Sequence, residues 1–289
     1  MRPLRRSFLA RALALAAAGF TAPRSLTATA APRFKAPPFA LGVASGSPTP
    51  DGVLLWTRIA PEPLGERGAG EDAIEVRWEI AHDEHFARPA RRGRVPAEPG
   101  RAHAVHVEAA GLEPAREYFY RFIAGGEASP VGRTRTAPRP GAAVARLRLA
   151  LASCQQYEQG WYVAHRHLAA EAPDLVAFVG DYIYESSWGR EHVRKHHTPE
   201  PLTLDDYRRR YAQYKTDPDL QAAHACAPWL LTWDDHEVDN DYALDRGEDL
   251  APGFLSRRAA AYQAFLEHQP IRPSALRPDG EVRLYGTHD

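Results

Sequence analysis

The chain has 289 residues, 44% hydrophobic and 25% charged, which is room for two domains of an ordinary soluble protein. Its 36 Lys and Arg against 37 Asp and Glu leave a formal net charge of −1, which argues against specific nucleic-acid binding, since that calls for a basic surplus. No internal repeat is visible, and proline, at 25 residues in all, is densest in the first half, where it favours loops and edge strands over long helices.

The chain opens with Arg5-Arg6-Ser7-Phe8-Leu9, a twin-arginine pattern. The apolar stretch Ala12 to Phe20 follows, too short for a bilayer that needs ~20 apolar residues. Ala28-Thr29-Ala30 offers an A-x-A cleavage site, so residues 1–30 read as an export signal. The expected address is periplasmic or extracellular, reached through the twin-arginine translocase, with no stable membrane span in the mature chain. That route carries folded proteins, which suits an enzyme that takes up a metal before export. An oxidising address permits a Cys154–Cys226 disulfide, but the two contexts differ, one a strand end and one an alanine-rich helix end, so two free thiols are the favoured expectation.

After a proline-rich linker, residues 31–38, short strands are expected near Phe39–Ser45, Val53–Ile59, Ile74–Ala81, Gly93–Val95, Ala104–Glu108, Tyr118–Ala124 and Val131–Thr136. Tyr118, Tyr120 and Phe122 alternate with Phe119, Arg121 and Ile123, and turns such as Pro50-Asp51-Gly52 separate the runs. Seven such strands predict an antiparallel β-sandwich, a scaffold or lid, over residues 39–137. The segment Gly111 to Tyr120 resembles the tyrosine corner of fibronectin type III domains, with Tyr118 packed inward and its hydroxyl returned to the backbone. His82, His85, His103 and His106 alternate with polar neighbours and read as a solvated face.

Thr136 to Gly141 breaks the pattern, and a second domain is expected from 146 to 289. A strand through Leu147, Leu149 and Leu151, a helix over Trp161–Glu171 stopped by Pro173, and the apolar run Leu175–Val179 form a βαβ unit. The run Leu175–Val179 is too short for a helix and reads as a central strand covered on both faces. His165 and His167 are expected on the helix surface, and the histidine-rich Glu191–Thr198 reads as an exposed loop. Asp205–Tyr214 is a helix whose Tyr207, Tyr211 and Tyr214 form a core stripe. A short helix near Ala222–Ala225, a strand Trp229–Thr232, a helix Arg257–His268 and the start of a strand at Glu281–Tyr285 complete the chain.

Three apolar strands end alike: at Cys154, at Asp181 after Gly180, and at Asp234-Asp235-His236-Glu237. Parallel strands bring such ends to one rim, the edge where open α/β sheets place ligands. A thiol, the Tyr184 phenol, several carboxylates including Glu185, and an imidazole crowded there repel or go unsatisfied unless a cation sits among them. The residue types ask for metal.

From Phe39 to Tyr285 the sequence resembles the bacterial alkaline phosphatase D family, the PhoD-like phosphatases. Five blocks carry the resemblance: LGVASGSPTPDGVLLWTRI, LASCQ at Cys154, VGDYIYE at Asp181, YRRRYAQYKTDPDLQAAHA, and TWDDHEVDNDYA at Asp234. It implies a fibronectin-like N-terminal domain joined to a four-layer α-β-β-α metallophosphoesterase domain. It also implies a ferric ion held by Cys154, Asp181 and Tyr184, beside calcium ions that share Asp181. Asp235 stands where other metallophosphoesterases carry the asparagine of GNHE and is the candidate ligand of a second cation, with Asp234 its rival. His236 then faces the substrate.

The chemistry of these residue types agrees. Thiolate and phenolate suit Fe(III), and oxygen donors suit calcium. Such a pair of cations neutralises phosphoryl oxygens, and an imidazole at His236 donates a proton to the leaving alkoxide or binds a phosphoryl oxygen. In the family the strand at Arg283-Leu284-Tyr285 continues into a second half with further ligands, whereas here Gly286-Thr287-His288-Asp289 does not resemble that continuation. The expectation is a C-terminally truncated relative with apolar strand faces and a sheet edge uncovered. The expected function is hydrolysis of phosphomonoesters or phosphodiesters; the alternative is a catalytically silent remnant serving as a binding module.

Overall fold

A computed structural model describes residues 32–65, 69–276 and 282–284. The expected export signal lies outside the described residues, as do the ends of the strand expected at Glu281–Tyr285, of which Val282 forms a bridge to Leu276.

Among the described residues, eight strands precede residue 136. β1 (Val43–Thr49), β2 (Gly52–Arg58) and β5 (Ala104–Ala110) pair antiparallel, as do β4 (Pro89–Ala97), β3 (Ile74–Ala81) and β6 (Glu117–Ala124). The two-residue β7 (Glu127–Ala128) and β8 (Gly132–Arg135) both add to β6. The two sets share one core, in which Val43, Val53 and Leu55 meet Val76, Ile80 and Phe122. Strict alternation on β6 turns Tyr118, Tyr120, Phe122 and Ala124 inward, as the sequence pattern predicts. The Tyr118 hydroxyl accepts the Glu113 N–H at 2.8 Å, the expected corner. β4 is longer than its expected Gly93–Val95 because it lies at a sheet edge, where Pro89, Pro96 and a row of arginines are tolerated.

Three of the four N-terminal histidines depart from the solvated face read for them, beginning with His82, whose ring lies 5.2 Å from that of Tyr118 with its Nδ1 buried. His103 is buried against the Asp72 carbonyl, and His106 reaches the Gln269 carbonyl at 2.9 Å. Strand parity cannot reveal this, since all three meet segments distant in sequence.

Three parallel strands follow, β9 (Leu149–Ala152), β10 (Leu175–Val179) and β11 (Pro228–Thr232), with helices α1 (Val163–Ala170), α2 (Leu204–Lys215), α3 (Pro218–Cys226) and α4 (Phe254–His268). A Thr203–Asp206 capping box starts α2, and Asp217 caps α3. Residues of all four helices join Val176, Phe178 and Trp229 in a second core, in which Tyr207, Tyr211 and Tyr214 are fully buried. β11 also pairs parallel with β1, Ser45 opposite Pro228 and Gly46 opposite Trp229, so one six-stranded sheet, β5-β2-β1-β11-β10-β9, runs through both halves. A Cβ on Gly46 would stand 2.3 Å from the Pro270 carbonyl oxygen, which explains glycine at the crossing.

Three expectations for this half need correction. β10 is not covered on both faces: Val176 and Phe178 are buried, while Val179 is 48% exposed beside Leu149 at 55% and Leu151 at 70%. The helices pack on one face, and among the described residues nothing covers the other. His165 is buried, bonding the Gln155 side chain at 2.7 Å. The 191–198 loop is irregular but not simply exposed, for Arg194 pairs with Asp217 at 2.6 Å and lies over the Tyr157 ring, and the His196 ring packs against Tyr214. Cys154 and Cys226 are both free.

Candidate metal centre

Adjacency of β9, β10 and β11 brings the three strand ends to one rim, as expected. The Cys154 N–H donates to the Gly180 carbonyl, and the Gln155 N–H to the Asp181 carbonyl, both at 3.1 Å. Gly180, at φ +108°, lets the exit of β11 pass so close that a Cβ would meet that of Asp234 at 2.6 Å. Cys154 and Asp181 both hold the left-handed backbone, φ +56° and +57°, which an L residue adopts only where its surroundings enforce it.

Asp181 is 7% exposed. Its Oδ2 accepts the Tyr184 hydroxyl at 2.9 Å, while its Oδ1 is buried with no hydrogen-bond partner. Ligand atoms of Asp181, Asp235 and His236 lie within 4.8 Å of one another. Asp235 is fixed by the N–H groups of His236 and Asp241, at 3.0 and 2.6 Å. The rival Asp234 is exposed and stands outside that group. Cys154 is also exposed and outside it. Of the residues named as ferric ligands, Asp181 and Tyr184 are in contact, and the backbone of Cys154 bonds to that of Gly180 beside them.

The imidazole of His236 is held by Glu185, Nδ1 to Oε2 at 2.8 Å, and its ring lies 4.1 Å from that of Tyr184. Burial pulls the His236 proton affinity down, but the Glu185 carboxylate outweighs it and the net pKa is raised. For Glu185, burial pushes up and the bond to His236 wins, leaving it below the usual range. Burial and the hydrogen bond to Asp181 push the Tyr184 phenol upward. Burial, with the charges of Asp181 and Asp235, raises Asp234.

One residue to which the sequence reading gave no role braces the rim. Glu237, 1% exposed, accepts the Tyr182 N–H at 2.6 Å and the Asp234 N–H at 3.0 Å, tying the exits of β10 and β11 together. Burial pushes its pKa up to about 7. Its place in the DDHE run was the available signal, but only the fold shows that it points inward.

The donor set fits a cation. Asp181, Asp235 and Glu185 gather around one imidazole, and the unpartnered Asp181 Oδ1 is the kind of buried acceptor that a metal satisfies.

The PhoD-like phosphatase family matches residues 149–288, and the PhoD-like phosphatase N-terminal domain matches residues 25–138. This chain belongs to the PhoD-like phosphatases. It is 52% identical over 266 residues to alkaline phosphatase D of Bacillus subtilis (strain 168), covering 89% of this chain and 45% of that protein. A solved structure of PhoD superposes with a TM-score of 0.85 at 51% identity, covering 89% of this chain and 50% of that one. This PhoD-like chain therefore spans about half the length of the relatives it matches. The superposition covers both the strand-rich N-terminal part and the PhoD-type part that carries the rim.

Proposed function

We propose that this PhoD-like chain is an exported, metal-dependent hydrolase of phosphomonoesters or phosphodiesters. The single observation that carries the reading is the buried, unpartnered Asp181 Oδ1 beside Asp235 and His236. We read the N-terminal strands as a fibronectin-like sandwich over 39–137 and residues 146–289 as the first part of a four-layer metallophosphoesterase domain. Asp181 and Tyr184, with Cys154, would hold Fe(III), and Asp181 and Asp235 would hold calcium. When bound, such cations neutralise phosphoryl oxygens and acidify an oxygen nucleophile.

The chain's own residues then have separable tasks. Asp181 and Asp235 supply the anionic oxygens, and the hydrogen bond from the Tyr184 hydroxyl holds Asp181 in place until the phenol gives up its proton to become a ligand. Glu185 engages Nδ1 of His236 and keeps the ring protonated more readily, which leaves Nε2 to deliver a proton to the leaving oxygen. His236→Ala is expected to slow hydrolysis of an alkyl phosphate about 100-fold or more, the lower end of general-acid effects, and of 4-nitrophenyl phosphate far less. Equal losses on both esters would remove the proton-donor role. Elemental analysis of the purified protein checks the metal, with about one iron per chain expected. A protein free of metal would instead favour the silent binding module.

A further inference from the structure

The turn that carries Tyr184 and Glu185 is gripped from outside the rim by one face of α2. Arg210 and Tyr214 lie four residues apart and therefore share a helix face. Arg210 is 1% exposed, and among the described residues it forms no ion pair with a carboxylate. Its two terminal nitrogens go to backbone carbonyls instead, while its Nε is buried without a partner. One guanidinium nitrogen donates to the carbonyls of Tyr184 and Glu185, the latter at 2.8 Å, and the other to those of Thr198 and Pro199 at 3.0 and 2.9 Å. The Tyr214 hydroxyl accepts the Tyr184 N–H at 3.0 Å. His196 closes the arrangement, its Nδ1 3.1 Å from Arg210 and its Nε2 3.1 Å from the Tyr214 hydroxyl.

Packing alone does not call for this. A leucine at position 210 fills a helix interface without burying a charge, and a buried guanidinium with no carboxylate in direct contact is costly to keep. What the arginine adds is a flat, rigid fork that bonds two stretches of backbone at once. One stretch is the turn whose two side chains meet Asp181 and His236; the other is the far end of the 186–199 loop, which places Trp188 edge-on to His236 at 5.6 Å.

We propose that Arg210 and Tyr214 are positioning residues of the metal centre, fixing the backbone of Tyr184 and Glu185 and closing the 186–199 loop onto the same point. The proposal rests on the reading of the rim as a metal site. Lysine cannot replace the arginine, because a point charge on a flexible stem does not span carbonyls on both sides.

The test uses the full chain, its Arg210→Lys and Tyr214→Phe variants, manganese(II) as the probe, and backbone hydrogen exchange on the metal-free proteins. Both variants are expected to exchange faster at 182–199 with β1 to β6 unchanged. Manganese(II) affinity should fall about 10-fold, the low end of the range for residues that orient metal ligands. Local destabilisation alone would leave that affinity at the parent value. If Arg210→Lys fails to fold, Tyr214→Phe carries the test, since it deletes one oxygen from a ring that stays packed. Parental affinity in the folded variants overturns the proposal. A parent that takes up no manganese(II) overturns the metal reading itself, and with it the positioning role, whatever the exchange shows.

Discussion

Asp181 concentrates the argument at the residue scale. It holds a left-handed backbone, buries one oxygen without a partner, and stands among like charges, all of which cost stability unless a cation is bound. Asparagine tolerates the same backbone and lacks the charge, so Asp181→Asn isolates the carboxylate. The metal-free variant is expected to unfold at or above the parent's temperature. The parent, in turn, should gain about 2.7 kcal/mol from a metal at 100 times its Kd, and the variant should not. Thermal unfolding with and without calcium or manganese(II) measures both, and a variant that keeps the metal-dependent gain would remove Asp181 from the site. The rim itself was legible because Asp181, Tyr184 and the Asp234–Glu237 run are adjacent in sequence or sit at like strand ends. Glu237's inward aim and Arg210's reach were not legible, since each depends on backbone brought near by folding.

Among the elements, those with the clearest period were the ones the sequence predicted best. Alternation on β6 and the tyrosine stripe on α2 both report which face meets a core, and both cores use them. The Tyr118 hydroxyl is a separable part of β6: Tyr118→Phe keeps the ring in the core and leaves the Glu113 N–H unmet. A loss of about 1 kcal/mol is expected in urea unfolding, with metal uptake unchanged. A variant as stable as the parent would show that the corner adds nothing beyond packing. Two elements escaped the period. β4 carries arginines and prolines that read as loop until its edge position is known. The apolar run of β10 promised two covered faces, but apolar residues fit one covered face equally well, and the second face of Leu149, Leu151 and Val179 lies open among the described residues.

At the scale of the molecule, the pairing of β1 with β11 joins residues some 180 positions apart, and no local pattern announces it. The junction it makes is buried and polar. The Trp56 indole donates to the Glu267 carbonyl at 2.9 Å, Arg58 meets His268 at 2.6 Å, and Lys215 stacks over Trp56 at 4.2 Å. The two halves are thus expected to melt together rather than as a strand-rich part with an independent partner. His106 makes the junction sensitive to acid. Burial pulls its pKa down to about 4; the Gln269 carbonyl opposes that pull, and the charges of Arg101 and Lys215 add to it. A base whose folded value lies below its unfolded value of about 6.5 is stabilising while neutral. That contribution is therefore complete above pH 6.5 and is lost as pH falls toward 4. Over that window the loss is roughly 3 kcal/mol for His106, since each tenfold change in proton affinity between the folded and unfolded chain is worth about 1.4 kcal/mol. Burial lowers the proton affinity of His165, His224 and His268 in the same direction, so the parent's total decline is steeper still. His106→Gln retains a donor for the Gln269 carbonyl and cannot be protonated, so urea unfolding between pH 7 and 4 should show a shallower acid limb for the variant. Superimposable limbs would mean that the half-buried imidazole between β5 and α4 has no part in the acid response of the junction.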